Sequence, residues 1–180
     1  MVEEIVKHLE KFSPKEILGY AIASEDDSKK LYEALAPNFR GLLRDFFMDL
    51  AKAEEEHKKI LLELHEKLFG DRNYIVPKGV RFAETSINVK TVANLIEALK
   101  IALTNEATAE RIYRHLADRI SESRKLLLFL ATQERSHYES IKAHKEYFEA
   151  MGEGKPELIS APVEYISSQL EIPFGPQTKK

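Results

Sequence analysis

Leu50-Ala51-Lys52-Ala53-Glu54-Glu55-Glu56-His57 and Leu130-Ala131-Thr132-Gln133-Glu134-Arg135-Ser136-His137 are the two stretches whose reading decides the fold. Both have the form Leu-Ala-x-x-Glu-x-x-His. On a helix, Glu and His three positions apart lie on one face, roughly 5–6 Å apart at Cβ. A single Glu-x-x-His carries little weight in a chain this rich in Glu. Here both copies sit inside apolar stripes with alternating steps of four and three. The first stripe is Leu43, Phe47, Leu50, Glu54, His57, Leu61, Leu64 and Leu68. The second is Leu127, Leu130, Glu134, His137, Ile141, His144 and Phe148. Such spacing marks one continuous buried face. His8, His65, His115 and His144 have Ile5, Leu62, Ile112 and Ile141 three residues before them, so the motif occurs only where a bundle centre should lie.

Outward from these stretches the chain repeats itself. Glu25 is followed seven residues later by Tyr32, in Tyr-Glu-Ala-Leu-Ala, and Glu106 by Tyr113, in Tyr-Arg-His-Leu-Ala. Glu25 and Glu54 are 29 residues apart, Glu106 and Glu134 28. A helical hairpin is therefore repeated, and the repeated polar residues are those on the buried faces.

Punctuation supplies the boundaries. Ser13-Pro14-Lys15-Glu16 reads as a capping box with Pro at the first helical position, opening a helix to about Ala36, where Pro37-Asn38 breaks it. The next helix runs from about Phe39 to Phe69 and stops at Gly70, a left-handed cap. Residues 70–89 carry Pro77, Gly79 and the β-branched Ile75, Val76 and Val80, and read as an extended crossover along the bundle. A third helix runs from about Thr91 to Ile120, with Leu95, Leu99, Ala102, Glu106, Ala109, Tyr113 and Leu116 inward. Ser121 caps a fourth, expected to end at Gly152. Ile5, Leu9 and Phe12 mark a short amphipathic stretch at the start. The expected organisation is all-α: residues 1–152 form a four-helix bundle with a short N-terminal helix, and residues 153–180 a tail packing on the bundle or on a partner subunit.

Composition limits the chemistry. Of 180 residues 43% are apolar, enough for one folded domain with a full core. The net charge is −3 with Lys and Arg scattered among acids, which argues against a nucleic-acid groove. There is no apolar run long enough to span a membrane, and Met1-Val2-Glu3-Glu4 lacks an apolar signal core, so the expected location is the cytoplasm. Cysteine is absent, so a metal site here must use His and carboxylates.

Glu25, Glu54, Glu106 and Glu134 facing one core would repel one another and lose hydration. Buried charges must pair, protonate or bind cations, and these stripes carry no Lys or Arg. Two divalent ions balance four ionised Glu, with His57 and His137 as neutral ligands. Oxygen-rich donors with one imidazole per ion suit iron or manganese, and zinc fits the same donors.

At these residues the chain resembles the ferritin-like superfamily, specifically the di-iron domain of rubrerythrins. The motifs that carry the resemblance are Glu25 with Tyr32, Glu54-x-x-His57, Glu106 with Tyr113, and Glu134-x-x-His137, over about Ser13 to Gly152. The resemblance implies a ferritin-like four-helix bundle with a long crossover between its second and third helices. It also implies two iron ions, with Glu54 and Glu134 bridging, Glu25 and His57 serving one ion, and Glu106 and His137 the other. Tyr32 and Tyr113 become hydrogen-bond donors that orient carboxylates. There are two departures. The four Cys of a rubredoxin domain are missing, so electrons are expected from a separate protein such as a rubredoxin. Rubrerythrins also place a further Glu three residues after the third helix's ligand, where this chain has Ala109. Glu110 is one residue on, rotated by about 100°, and is expected to pair with Arg114. The remaining set is equally like that of bacterioferritin-type sites.

The function implied is a non-haem di-iron oxidoreductase that reduces hydrogen peroxide or dioxygen. Iron oxidation for binding or storage at the same residues stands beside it, as does a non-catalytic helical module with a structural metal such as zinc. A homodimer is expected by resemblance. Glu55 and Glu56 fall off the stripe and are expected in solvent, His144 is expected to be a satisfied buried or bundle-end histidine rather than a ligand, and His8, His65 and His115 are expected on the surface.

Overall fold

The computed structural model describes residues 2–80, 89–154 and 161–162. A short helix α1 (Val2–Leu9) precedes four long ones: α2 (Pro14–Leu35), α3 (Gly41–Phe69), α4 (Val92–Arg119) and α5 (Arg124–Gly154). The described residues contain no strand, only an isolated bridge between Thr91 and Pro162. No described helix is long and apolar enough to cross a membrane.

Local chemistry sets most of the boundaries. The Ser13 hydroxyl accepts from the Glu16 N–H at 3.3 Å while the Ser13 N–H donates to the Glu16 carboxylate at 2.9 Å. Gly70 closes α3 at φ 82°, a left-handed conformation that costs glycine little. Thr91 and Asn94 make a similar box at the start of α4.

Three boundaries differ from those read in the sequence. Residues Ala36–Asn38 form a 3₁₀ turn, and the Asn38 amide donates to the carbonyls of Ala34 and Leu35 at 2.9 and 3.1 Å. This holds Phe39 extended, so α3 starts at Gly41. Ser121–Ser123 likewise form a 3₁₀ turn, so Ser121 does not cap α5 directly. Gly152 does not end α5, which continues to Gly154 with Gly152 buried. Glycine lowers helix stability by about 1 kcal/mol without forbidding a helix.

The core falls into two apolar clusters. At one end lie Leu31, Leu35, Phe47, Leu95, Leu99, Ile141 and Phe148. At the other lie Ile17, Ile22, Leu61, Ile112, Leu116, Leu127 and Leu130. The first cluster joins the C-terminal halves of α2 and α5 to the N-terminal halves of α3 and α4. Hence α2–α3 and α4–α5 are antiparallel hairpins, while α3 and α4 point the same way, which requires the long crossover. Tyr74 and Val80 pack on the second cluster and Val89 belongs to the first. Val80 and Val89 therefore belong to opposite ends of the bundle, and residues 81–88 of the expected crossover lie outside the described residues. Ala161 accepts from the Val92 N–H at 3.4 Å and packs on the first cluster. The rest of the expected tail also lies outside the described residues.

Gly19 is where the crossover touches the bundle. A Cβ there would overlap the carbonyl oxygen of Ile75 and sit 3.0 Å from its carbonyl carbon. Ala is the better helix former by about 1 kcal/mol, yet overpacking costs about 1–3 kcal/mol. Gly19→Ala is therefore expected to lower the melting temperature despite the gain in helix propensity. At roughly 2–4 °C per kcal/mol for a chain of this size, thermal unfolding followed by circular dichroism resolves the loss.

Candidate metal centre

Between the two apolar clusters lies a polar layer. Glu25 comes from α2, Glu54 and His57 from α3, Glu106 from α4, and Glu134 and His137 from α5. The four Glu are 1–2% exposed and His57 is 5% exposed. The heptad spacing that makes each stripe apolar also carries these residues inward.

The contacts run in a near-symmetric pattern. His57 Nδ1 lies 3.7 Å from Glu25 Oε2, 3.6 Å from Glu54 Oε2 and 2.7 Å from Glu134 Oε1. His137 Nδ1 lies 3.4 Å from Glu106 Oε2, 3.7 Å from Glu134 Oε2 and 3.1 Å from Glu54 Oε1. Glu54 and Glu134 thus each present one oxygen to each imidazole, whereas Glu25 and Glu106 serve one imidazole each. Donor atoms of Glu54, His57, Glu134 and His137 all lie within 4.8 Å of one another.

Each tyrosine reaches across to the other hairpin. The Tyr32 hydroxyl of α2 donates to Glu106 Oε1 of α4, and the Tyr113 hydroxyl of α4 donates to Glu25 Oε1 of α2. The outer oxygen of each carboxylate is anchored, and its other oxygen, Oε2, is left facing inward. Sequence reasoning made the tyrosines orienting donors but did not identify their partners, because spacing along one helix says nothing about a neighbouring hairpin.

The inward atoms have no hydrogen-bond partner. Glu25 Oε2, Glu54 Oε1, His57 Nδ1, Glu106 Oε2, both oxygens of Glu134 and His137 Nδ1 are all buried and unsatisfied. Native proteins rarely leave buried polar atoms so, and these seven converge on one place, whereas His65 Nε2 and His115 Nε2 stand apart from it. Among the described residues, the ion-pair partners of these four acids are His57 and His137, not Lys or Arg. A donor set of four carboxylates and two imidazoles, its free lone pairs aimed at a common centre, fits two divalent cations.

Electrostatics describe the metal-free cluster. Burial pushes the Glu25 carboxyl well above the usual carboxylate range, and the charge of Glu134 adds to this. Burial does the same to Glu106, with Glu54 and Glu134 adding. Burial also opposes ionisation of Glu54, but contacts with Glu25, His137 and His57 outweigh it and hold that carboxyl low. Burial disfavours both imidazolium ions, yet the surrounding carboxylates win: His57 is pushed upward and His137 up to about 12. Burial and the adjoining carboxylates raise Tyr32 and Tyr113 as well, so both stay phenols and can donate. Protons on Glu25, Glu106, His57 and His137 carry the same total charge as two divalent ions.

The remaining polar residues stand outside the cluster. Glu110 bonds Arg114 at 2.9 Å, with Arg135 at 4.0 Å, and buried Ala109 holds the position beside it. His144 stacks on Phe46 at 4.1 Å. Glu56 is in solvent, while Glu55 is half-buried against Lys29. The surface assignment of His65, His8 and His115 does not hold. His65 is fully buried because the chain after α3 folds back and the Asp71 carbonyl accepts from its Nδ1 at 2.6 Å. His8 and His115 are half-buried.

The rubrerythrin family profile matches residues 16–145. The chain belongs to the rubrerythrin family. Among solved structures, a hypothetical protein from Pyrococcus furiosus is 25% identical and superposes with a TM-score of 0.74 over 81% of this chain and 96% of that one. A candidate ferritin-like diiron-carboxylate protein from Thermotoga maritima is 21% identical, with a TM-score of 0.60 over 75% of this chain and 95% of that one. The second likeness shows the ferritin-like fold. No curated protein matches the sequence at a significant level. The family match spans all six polar-layer residues of this rubrerythrin-family chain.

The shifts carry a sign that can be measured. Glu25, Glu106, His57 and His137 bind protons more tightly folded than unfolded, so their contribution to stability is complete below the unfolded values of 4.5 and 6.5 and is lost as pH rises toward the folded ones. Glu54 acts in the opposite sense, but only at strongly acid pH. The metal-free protein should therefore melt at progressively lower temperature between about pH 5 and pH 9. The metal-loaded protein should show a flatter profile, and loading at neutral pH should release protons detectable with an indicator dye.

Proposed function

We propose that this protein is a non-haem di-iron oxidoreductase that reduces hydrogen peroxide or dioxygen, with electrons from a separate donor protein. The observation that supports it is the set of buried, unpartnered carboxylate and imidazole atoms converging between the hairpins. Glu25 and His57 would hold one ion, Glu106 and His137 the other, and Glu54 and Glu134 would bridge. Bound as iron(II), the pair supplies one electron from each ion to an O–O bond.

The chain's own residues prepare that chemistry. Tyr32 and Tyr113 fix the outer oxygens of Glu106 and Glu25, so the inner oxygens need not reorganise when ions arrive. The apolar clusters on either side exclude bulk water and strengthen every electrostatic interaction within the layer. The Ala109 and Glu110 arrangement offers no additional carboxylate to the centre, so both oxidation states are to be held by one ligand set. The 180 residues contain no cysteine, and a thiolate-bound iron relay within them is ruled out on that ground. A rubredoxin-type donor fits this need.

Anaerobic loading with two equivalents of Fe(II), followed by peroxide, tests the reading. Rapid stoichiometric oxidation, with turnover when a reductant is added, is the expected result. A bound pair indifferent to both peroxide and dioxygen would overturn it. The orienting role of the tyrosines has its own test. Tyr32→Phe and Tyr113→Phe should each weaken metal affinity by about 10–100-fold while leaving the helical content intact, measured by competition with a chromogenic chelator.

A further inference from the structure

The repeat makes the two halves of the centre directly comparable, and they differ in how well they are covered. His57 corresponds to His137, yet the His57 side chain is 6% exposed and that of His137 13%. One turn beyond His57 stands Ile60, partly buried against the second apolar cluster. The equivalent residue beyond His137 is Ser140, which is exposed; the residues just before the two histidines, Glu56 and Ser136, are both exposed, the serine being the smaller.

The straps between paired helices differ in the same direction. Across α2 and α3, Lys58 bonds Asp26 at 2.5 Å and Lys29 bonds Glu55 at 2.8 Å, beside the Glu25–His57 position. The repeat equivalents of Lys58 and Asp26 are Tyr138 and Ala107, which form no ion pair. The equivalents of Lys29 and Glu55 are Glu110 and Arg135, charge-reversed and 4.0 Å apart. Such pairs at a protein surface add little stability. What differs is the bridging: on the second seam Arg135 lies over the Tyr138 ring of its own helix, 5.1 Å from the centroid, so among the described residues no charge pair as short as those joins α4 to α5 there. The contacts to the imidazoles agree, with a shortest carboxylate distance of 2.7 Å at His57 and 3.1 Å at His137.

We infer that the two metal positions are inequivalent, and that the one served by Glu106 and His137 is the exchangeable position. A small ligand such as water, peroxide or a small anion reaches it past Ser136 and Ser140. This rests on the metal-centre reading proposed above. It adds a direction of approach and a residue that controls it. In this scheme Ser140 and Ile60 govern access without touching metal.

The test uses cobalt(II) as the probe and does not depend on turnover. Protein loaded with two Co(II) is challenged with EDTA, and release is followed by the visible absorption of the bound ion. Two phases of equal amplitude are expected. Ser140→Ile should slow the fast phase several-fold and leave the slow one alone, whereas Ile60→Ser should speed the slow phase. Azide added before the chelator should perturb the spectrum of one ion in the native protein and neither in Ser140→Ile. A single release phase, or two phases both indifferent to Ser140→Ile, overturns the inference. Failure to bind Co(II) at all would instead sink the metal-centre reading itself. Should Ile60→Ser unfold, Ser140→Ile, at an exposed position, still decides.

Discussion

Four carboxylates placed in the middle of a hydrophobic bundle, with no lysine or arginine among the described residues to neutralise them, are the constraint from which the rest of this molecule follows. An unpaired buried charge costs several kcal/mol, comparable with the net stability of a domain. The acids are tolerable only with protons or cations between them, and the two histidines sit where either solution works. Protonated imidazoles and carboxyls balance the metal-free cluster. Displacing those protons by two divalent ions leaves the total charge unchanged. The layer can therefore exist with protons in place of cations, and its inward oxygen and nitrogen atoms are those a cation would meet.

Placing that layer at the centre dictates the architecture around it. The apolar core is split in two, and each half must be large enough to hold its end of the bundle. Phe47, Leu95, Leu99 and Phe148 do so at one end and Ile17, Leu61, Leu116 and Leu130 at the other. The hairpins are tied together through the layer itself. Tyr32 and Tyr113 bond the glutamates of the opposite hairpin, so neither hairpin presents a complete donor set without its partner. The family match and the ferritin-like structural neighbour belong with this arrangement.

The two hairpins do the same work with different surfaces. Lys29 and Glu55 on one correspond to Glu110 and Arg135 on the other, with the charges exchanged. The first pair is in contact at 2.8 Å and the second is 4.0 Å apart, so the two hairpins differ at the surface while their inward stripes carry the same residue types. Variation of this kind makes the two otherwise matching halves of the polar layer distinguishable from outside.

The sequence alone determined which residues face the centre. A heptad step places Glu54 and His57, or Glu134 and His137, on the same face as the leucines beside them, whatever the helix packs against. The capping box at Ser13 and the left-handed Gly70 likewise announced their helix ends through local chemistry. Periodicity gives a direction but not a depth or a partner, and the tertiary structure supplied both. It decided that each tyrosine bonds across the hairpins and that Glu54 and Glu134 each lie between both imidazoles. It decided that His65 is buried by a carbonyl six residues further on, and that α5 runs through Gly152. It also left His137 more exposed than His57. Each of these depends on what another segment brings to the same place, and distances between segments are not encoded in spacing along one of them.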